Sequence, residues 1–117
     1  MQQYLCVENL TVKPARLDEL LRRTETELTA RYRAMQGYIA STVAKLGDTT
    51  VISLSIWQTH GQAEQAIHTR NVWMNEDAGT PITALQDQIG TASFLALTDD
   101  LSLRIAALTG PFAPTHR

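Results

Sequence analysis

The chain has 117 residues, 44% of them hydrophobic and 19% charged, and carries a formal net charge of −2, which describes one globular domain with a single core and excludes a disordered chain. Lysine occurs only at Lys13 and Lys45 and there is no basic run, so neither a nucleic-acid footprint nor an anionic-membrane patch is expected. The apolar runs are too short to cross a bilayer and the N-terminus lacks a basic segment followed by an apolar one, so a cytoplasmic location is expected.

Residues 3–12 are rich in β-formers and stop at Lys13-Pro14, a helix entry with proline near its first position. From Ala15 to Met35 the positions Leu17, Leu20, Leu21, Thr24, Leu28, Tyr32 and Met35 form a mostly apolar stripe, which predicts an amphipathic helix ended by Gln36-Gly37. Tyr38 to Ala44 and Thr49 to Trp57 read as strands of a hairpin around Leu46-Gly47-Asp48. Strict alternation places Val51, Ser53, Ser55 and Trp57 on one face of the last strand, expected to be a cavity wall. Ile52, Leu54 and Ile56 lie on the other, expected to be core.

Thr59 caps a short helix carrying Ala63, Ala66 and Ile67, and 71–79 reads as an irregular break. Thr80-Pro81 opens a second helical piece with Ile82, Leu85, Ile89, Ala92 and either Leu95 or Ala96 on its stripe, weakened by Gly90. Leu101 to Leu108 reads as a last strand, followed by a tail over 111–117. The one cysteine, Cys6, reads as a buried structural thiol, and no Cys/His spacing suits a metal.

The expected fold is therefore α+β: a ferredoxin-like β-α-β-β-α-β domain over residues 1–110, with a four-stranded antiparallel sheet and its second helical region broken in two. Helices cover one sheet face. The half-apolar open face calls for a homodimer through it, with a ligand cavity between sheet and helices or at the sheet–sheet junction.

From Tyr4 to Ile67 the chain resembles the antibiotic biosynthesis monooxygenase group of the dimeric α/β-barrel superfamily. The resemblance rests on a first strand ending Val-Lys-Pro, a long helix, Gln36-Gly37-Tyr38, a hairpin, a strand ending at Trp57, and the following helix rich in Glu, Gln and Ala. It implies cofactor-free oxidation of a small aromatic polyketide or quinol by O₂, without flavin, metal or haem. It also implies a polar pocket residue four positions before the strand-end Trp, here Ser53. The pocket Tyr of those enzymes falls near Ala63 or Glu64 and is absent. A haem-opening branch shares a pocket Asn matched by Asn9. Its pocket Trp falls on Ala66 or Ile67, and its axial His near Asn75 or Glu76, so that branch is disfavoured.

The candidate catalytic residues are His68, as a base, and Ser53. Asn9, Tyr38, Ser55, Trp57, Arg70 and Trp73 are candidate substrate-binding residues, with Arg70 available to an oxyanion and Trp73-Met74 as a lid. His60 reads as a surface side chain, and Arg104 as a partner for Glu8 across the sheet. A non-catalytic aromatic-ligand-binding protein and an isomerase or cyclase are the alternative readings.

Overall fold

The inward-facing side chains of β1 (Gln3–Val12) are Cys6, Glu8, Leu10 and Val12, all buried; the computed structural model that shows this describes residues 2–93. After a single turn at Pro14–Arg16, the chain runs through α1 (Leu17–Arg23), a wide π turn at Thr24–Leu28 and α2 (Thr29–Arg33). Two hydroxyls bond to the backbone around that wide turn: Thr24 donates to the Leu20 carbonyl at 2.8 Å, and Thr29 to the Thr24 carbonyl at 3.0 Å. The predicted stripe holds, with Leu17, Leu20, Leu28 and Tyr32 buried against the sheet and Leu21 and Met35 packed beside them.

Strands β2 (Tyr38–Leu46) and β3 (Thr50–Trp57) form the predicted hairpin. Gly37 links α2 to it with φ +87°, and a Cβ there would lie 1.7 Å from Gln62 Oε1, so both backbone and space demand glycine. Gln62 is held in place because it completes the capping box with Thr59 that starts α3 (His60–Trp73). A wide turn at Met74–Ala78, with Asp77 at φ 87°, leads to β4 (Ile82–Ala92). The sheet is antiparallel in the order β2-β3-β1-β4, with α1, α2 and α3 on one face, the ferredoxin-like arrangement expected from the sequence.

Three expectations are corrected. The segment from Thr80 read as a helix is β4, paired with β1 along almost its whole length. Leu85 and Ile89 are four apart, a spacing common to both periods, and the pairing that β1 offers decides between them. The predicted break at 71–79 is also wrong in its first part, because α3 runs on through Trp73. Finally, the core lies on the other face of β3 from the one expected, although Val51 and Ser53 do line a cleft. Val51, Ser53, Ser55 and Trp57 are buried under the helices, whereas Ile52, Leu54 and Ile56 are half-buried on the open face. The predicted strand at Leu101–Leu108, Arg104 and the tail lie outside the described residues.

Candidate functional site

Strand register places Val43, Ser53, Glu8 and Asp87 in one row across the sheet, on the face beneath the helices. Glu8 and Asp87 are directly opposed, a pairing of like charges that is unfavourable on its own. Arg70 resolves it from above. On α3 the positions Ala63, Ala66, Arg70 and Trp73 form the buried stripe, so the guanidinium is directed onto the sheet. Its Nη1 donates to Glu8 Oε2 at 2.5 Å and also to Asp87 Oδ1, while Nη2 donates to Asp87 Oδ2 at 2.8 Å and to Asn71 Oδ1 at 2.6 Å. Glu8 and Arg70 are each 2% exposed; the Asp87 side chain is 25% exposed.

This cluster sets unusual protonation energetics. Burial pushes the Glu8 carboxyl above its ordinary value, against the opposing pull of the Arg70 charge and hydrogen bond and of Ser53, with the Asp87 charge adding to the upward shift. Arg70 remains a cation, held up by its two carboxylate partners despite its own burial. Burial also pushes the Cys6 thiol up to about 11, and Cys6 Sγ donates to the Ala63 carbonyl at 3.3 Å, the structural role expected of it. Two buried polar atoms have no hydrogen-bond partner among the described residues: Arg70 Nε and Tyr32 Oη.

Glu8, Ser53 and Arg70 open onto a narrow cleft between the helices and the sheet, whose walls include Leu10, Leu28, Val51, Trp73 and Met74. Its free space is ≈ 20 Å³, enough for one water. Trp73 is fixed in the wall by its indole N–H, which donates to Glu27 Oε1 at 2.9 Å, and Arg31 on α2 pairs with Glu76 in the turn beyond it at 2.6 Å.

The structure brings only part of the predicted residue set together. Ser53, Arg70 and Trp73 share the cleft. Trp57 is fully buried and is not among the cleft's lining residues, with its N–H donating to Ser55 Oγ at 2.9 Å and its ring meeting Tyr32 and Tyr38 edge-on at 5.5 and 5.6 Å. Tyr38 is half-buried and shares a 2.8 Å hydrogen bond with Ser41. His68 is exposed on the outer side of α3, away from Arg70. Asn9 is exposed on the opposite sheet face, in a shallow concavity with Val7, Ile52, Gln86 and Gln88. His60 lies at the surface against Tyr4, as expected.

Glu8 and Asp87 were the residues missed. Glu8 carries a readable signal, since it interrupts the apolar phase Cys6, Leu10, Val12 of a strand. Asp87 carries the same signal between Leu85 and Ile89, but only once that segment is known to be a strand.

No family model and no curated protein matches the chain. Solved structures do. SnoaB of Streptomyces nogalater, a cofactor-independent oxygenase, is 16% identical, with 81% of this chain and 97% of that one covered and a TM-score of 0.62. The monooxygenase from ActVA-Orf6 of Streptomyces coelicolor, in complex with nanaomycin D, is also 16% identical, covering 81% and 91% with a TM-score of 0.65. A dimeric ferredoxin-like protein from an uncultured marine organism is 10% identical, covering 84% and 94% with a TM-score of 0.64. At such identities the likeness establishes the fold alone: the chain has the ferredoxin-like fold that these solved structures share.

Proposed function

We propose that the chain is a cofactor-independent monooxygenase that oxidises a small aromatic polyketide, anthrone-like, or a quinol with O₂ to a quinone, as a homodimer joined through the open sheet face. The observation that carries this is the cleft, which combines apolar walls with a hydroxyl, a carboxyl and a guanidinium at the sheet. The fold shared with SnoaB and the ActVA-Orf6 monooxygenase supports it.

For an anthrone the reaction balances without a cofactor: the CH₂ carbon gains one oxygen atom as a carbonyl, and the other oxygen leaves as water with the two hydrogens. The substrate supplies the electrons. The protein has to orient it, favour its anion and exclude bulk water. A ring system enters only if the cleft widens, and Met74, unbranched and half-buried in its wall, is the lining residue most able to yield.

The test is oxygen uptake with anthrone and a panel of hydroquinones, without added flavin, metal or haem, with the quinone followed by its visible absorption. Uptake with one O₂ consumed per quinone formed from anthrone is expected. A second reading, an aromatic-ligand-binding protein without turnover, is favoured by the commitment of Arg70 to two carboxylates. Saturable binding of the same compounds without oxygen uptake would establish it instead.

A further inference from the structure

We propose that Glu8 is the group that accepts the hydroxyl proton of the aromatic substrate, and that Arg70 Nε–H receives the oxyanion left behind; the inference rests on the oxygenase reading above. Neither His68 nor His60 can serve there, because both lie on the outer surface.

The geometry points to Glu8 on three grounds. It lines the cleft together with Arg70 and Ser53, so all three groups reach the same space. The cluster is unbalanced: with both Glu8 and Asp87 ionised against one guanidinium it holds a net negative charge, and uptake of one proton neutralises it. Asp87 is partly exposed and Glu8 is not, so Glu8 is the carboxyl that gains most from becoming neutral. Finally, Arg70 is nine-tenths buried and more, yet its Nε–H has no acceptor among the described residues. A buried N–H of this kind can donate to an oxygen atom brought within its reach.

The groups acting on Glu8 come from every layer around it. They are Cys6 on its own strand, Ser53 on β3, Asp87 on β4, Arg70 on α3 and Tyr32 on α2, whose buried hydroxyl feels the Glu8 and Arg70 charges. From the first helix and its wide turn come Leu20, Thr24 and Leu28, of which only Thr24 is polar, its hydroxyl already given to the Leu20 carbonyl.

In the step itself the substrate O–H bond breaks and a Glu8 O–H bond forms, while the electron pair stays on the substrate oxygen, beside Arg70. The anion then reduces O₂. The radical pair joins as a carbon-bound peroxide anion, and Glu8 returns its proton to make the hydroperoxide. In the collapse the remaining C–H bond breaks and its electron pair forms the carbonyl. The proton from that bond passes through the Glu8 carboxylate to the hydroxide released by O–O cleavage, which leaves as water, so the carboxylate is restored.

The test pairs turnover with binding. Glu8→Gln should lower kcat/KM at neutral pH by about 10²–10⁴-fold. The loss should shrink as pH rises to where the substrate ionises by itself in solution. Anaerobically, the wild type should bind 1-naphthol roughly tenfold more tightly than 1-methoxynaphthalene, which lacks the proton, and Glu8→Gln should bind the two alike. Asp87→Asn serves as the second variant and does not depend on Glu8→Gln folding. It removes the Asp87 charge, which adds to the rise that burial causes at Glu8, so the acidic limb of the kcat/KM profile should move to lower pH. Absence of oxygen uptake by the wild type overturns the oxygenase reading. Equal wild-type binding of naphthol and its ether overturns the role of Glu8 whether or not turnover occurs, and in the active enzyme an Asp87→Asn acidic limb that stays in place overturns it as well.

Discussion

Arg70 Nη1 donates to Glu8 Oε2 across 2.5 Å, joining two buried side chains that are 62 positions apart in the chain. This contact ties α3 to the middle of the sheet, because β1 lies between β3 and β4. It also means that the most polar point of the interior is the point through which helix and sheet are aligned.

Removing the guanidinium should therefore be costly. Arg70→Met leaves Glu8 without its cation and Asp87 directly opposite, for an expected loss of about 3–5 kcal/mol in urea unfolding near pH 8. The loss should become smaller towards acid pH, where Glu8 takes up a proton and no longer needs a partner. A loss that is the same at every pH would mean that Glu8 is not ionised in the native protein.

The Glu8 carboxyl makes its own signature in the pH dependence of stability. Its native pKa lies above the ordinary value, 4.5, so between the two the folded chain holds a proton that the unfolded chain has released. Stability from this group is present below the ordinary value and falls as pH rises through the native pKa. The difference in unfolding free energy between wild type and Glu8→Gln should decline over that window and level off above it. Glu19, Glu27 and Glu76, each lowered by an arginine hydrogen bond, act in the opposite sense but are common to both proteins and cancel. A difference that rises with pH would contradict the assignment.

The wall of the cleft offers a cleaner pairwise measurement. Trp73→Phe keeps a six-membered ring in the wall but deletes the indole N–H that reaches Glu27 together with the rest of the five-membered ring, a packing loss that the cycle cancels. A double-mutant cycle with Glu27→Ala, which removes the acceptor, should give a coupling of about 0.5–1.5 kcal/mol by chemical denaturation. Coupling near zero would show that the wall is held by packing alone.

The open sheet face carries the homodimer prediction. Leu5, Val7, Ile52, Leu54 and Ile56 are half-buried there, and none of the described helices covers them. Leu54→Glu should convert a dimer into a monomer in sedimentation velocity while the far-ultraviolet circular dichroism of the monomer is kept. A wild type that sediments as a monomer at micromolar concentration would remove the dimer from the proposal.

The first three strands, the first helical region and the start of α3 were legible in the sequence because each depends on a local pattern. Gln3–Val12 and Thr50–Trp57 alternate, and Leu17 to Met35 repeat at helical steps. Thr59 announces the start of α3 through its own side chain. Ser53 and Arg70 were legible as polar residues at unusual places, and the structure puts both in the cleft. His68 stands out by its chemistry and Asn9 by a family resemblance, neither of which fixes a side-chain direction, and both are exposed.

What the sequence by itself determined was the ferredoxin-like order of elements as far as the start of α3 and the positions of the helices' apolar stripes, since periodicity within one element fixes which residues share a face. Tertiary structure decided which face is inside. The Ser53, Ser55 and Trp57 side of β3 is buried because the helices lie on that side, and residues 82–92 are a strand because β1 presents an edge for them to pair with. Only that pairing sets Asp87 beside Glu8, and only the helix layer lowers Arg70 onto both. A buried cluster assembled from three distant segments leaves no local periodicity from which to read it.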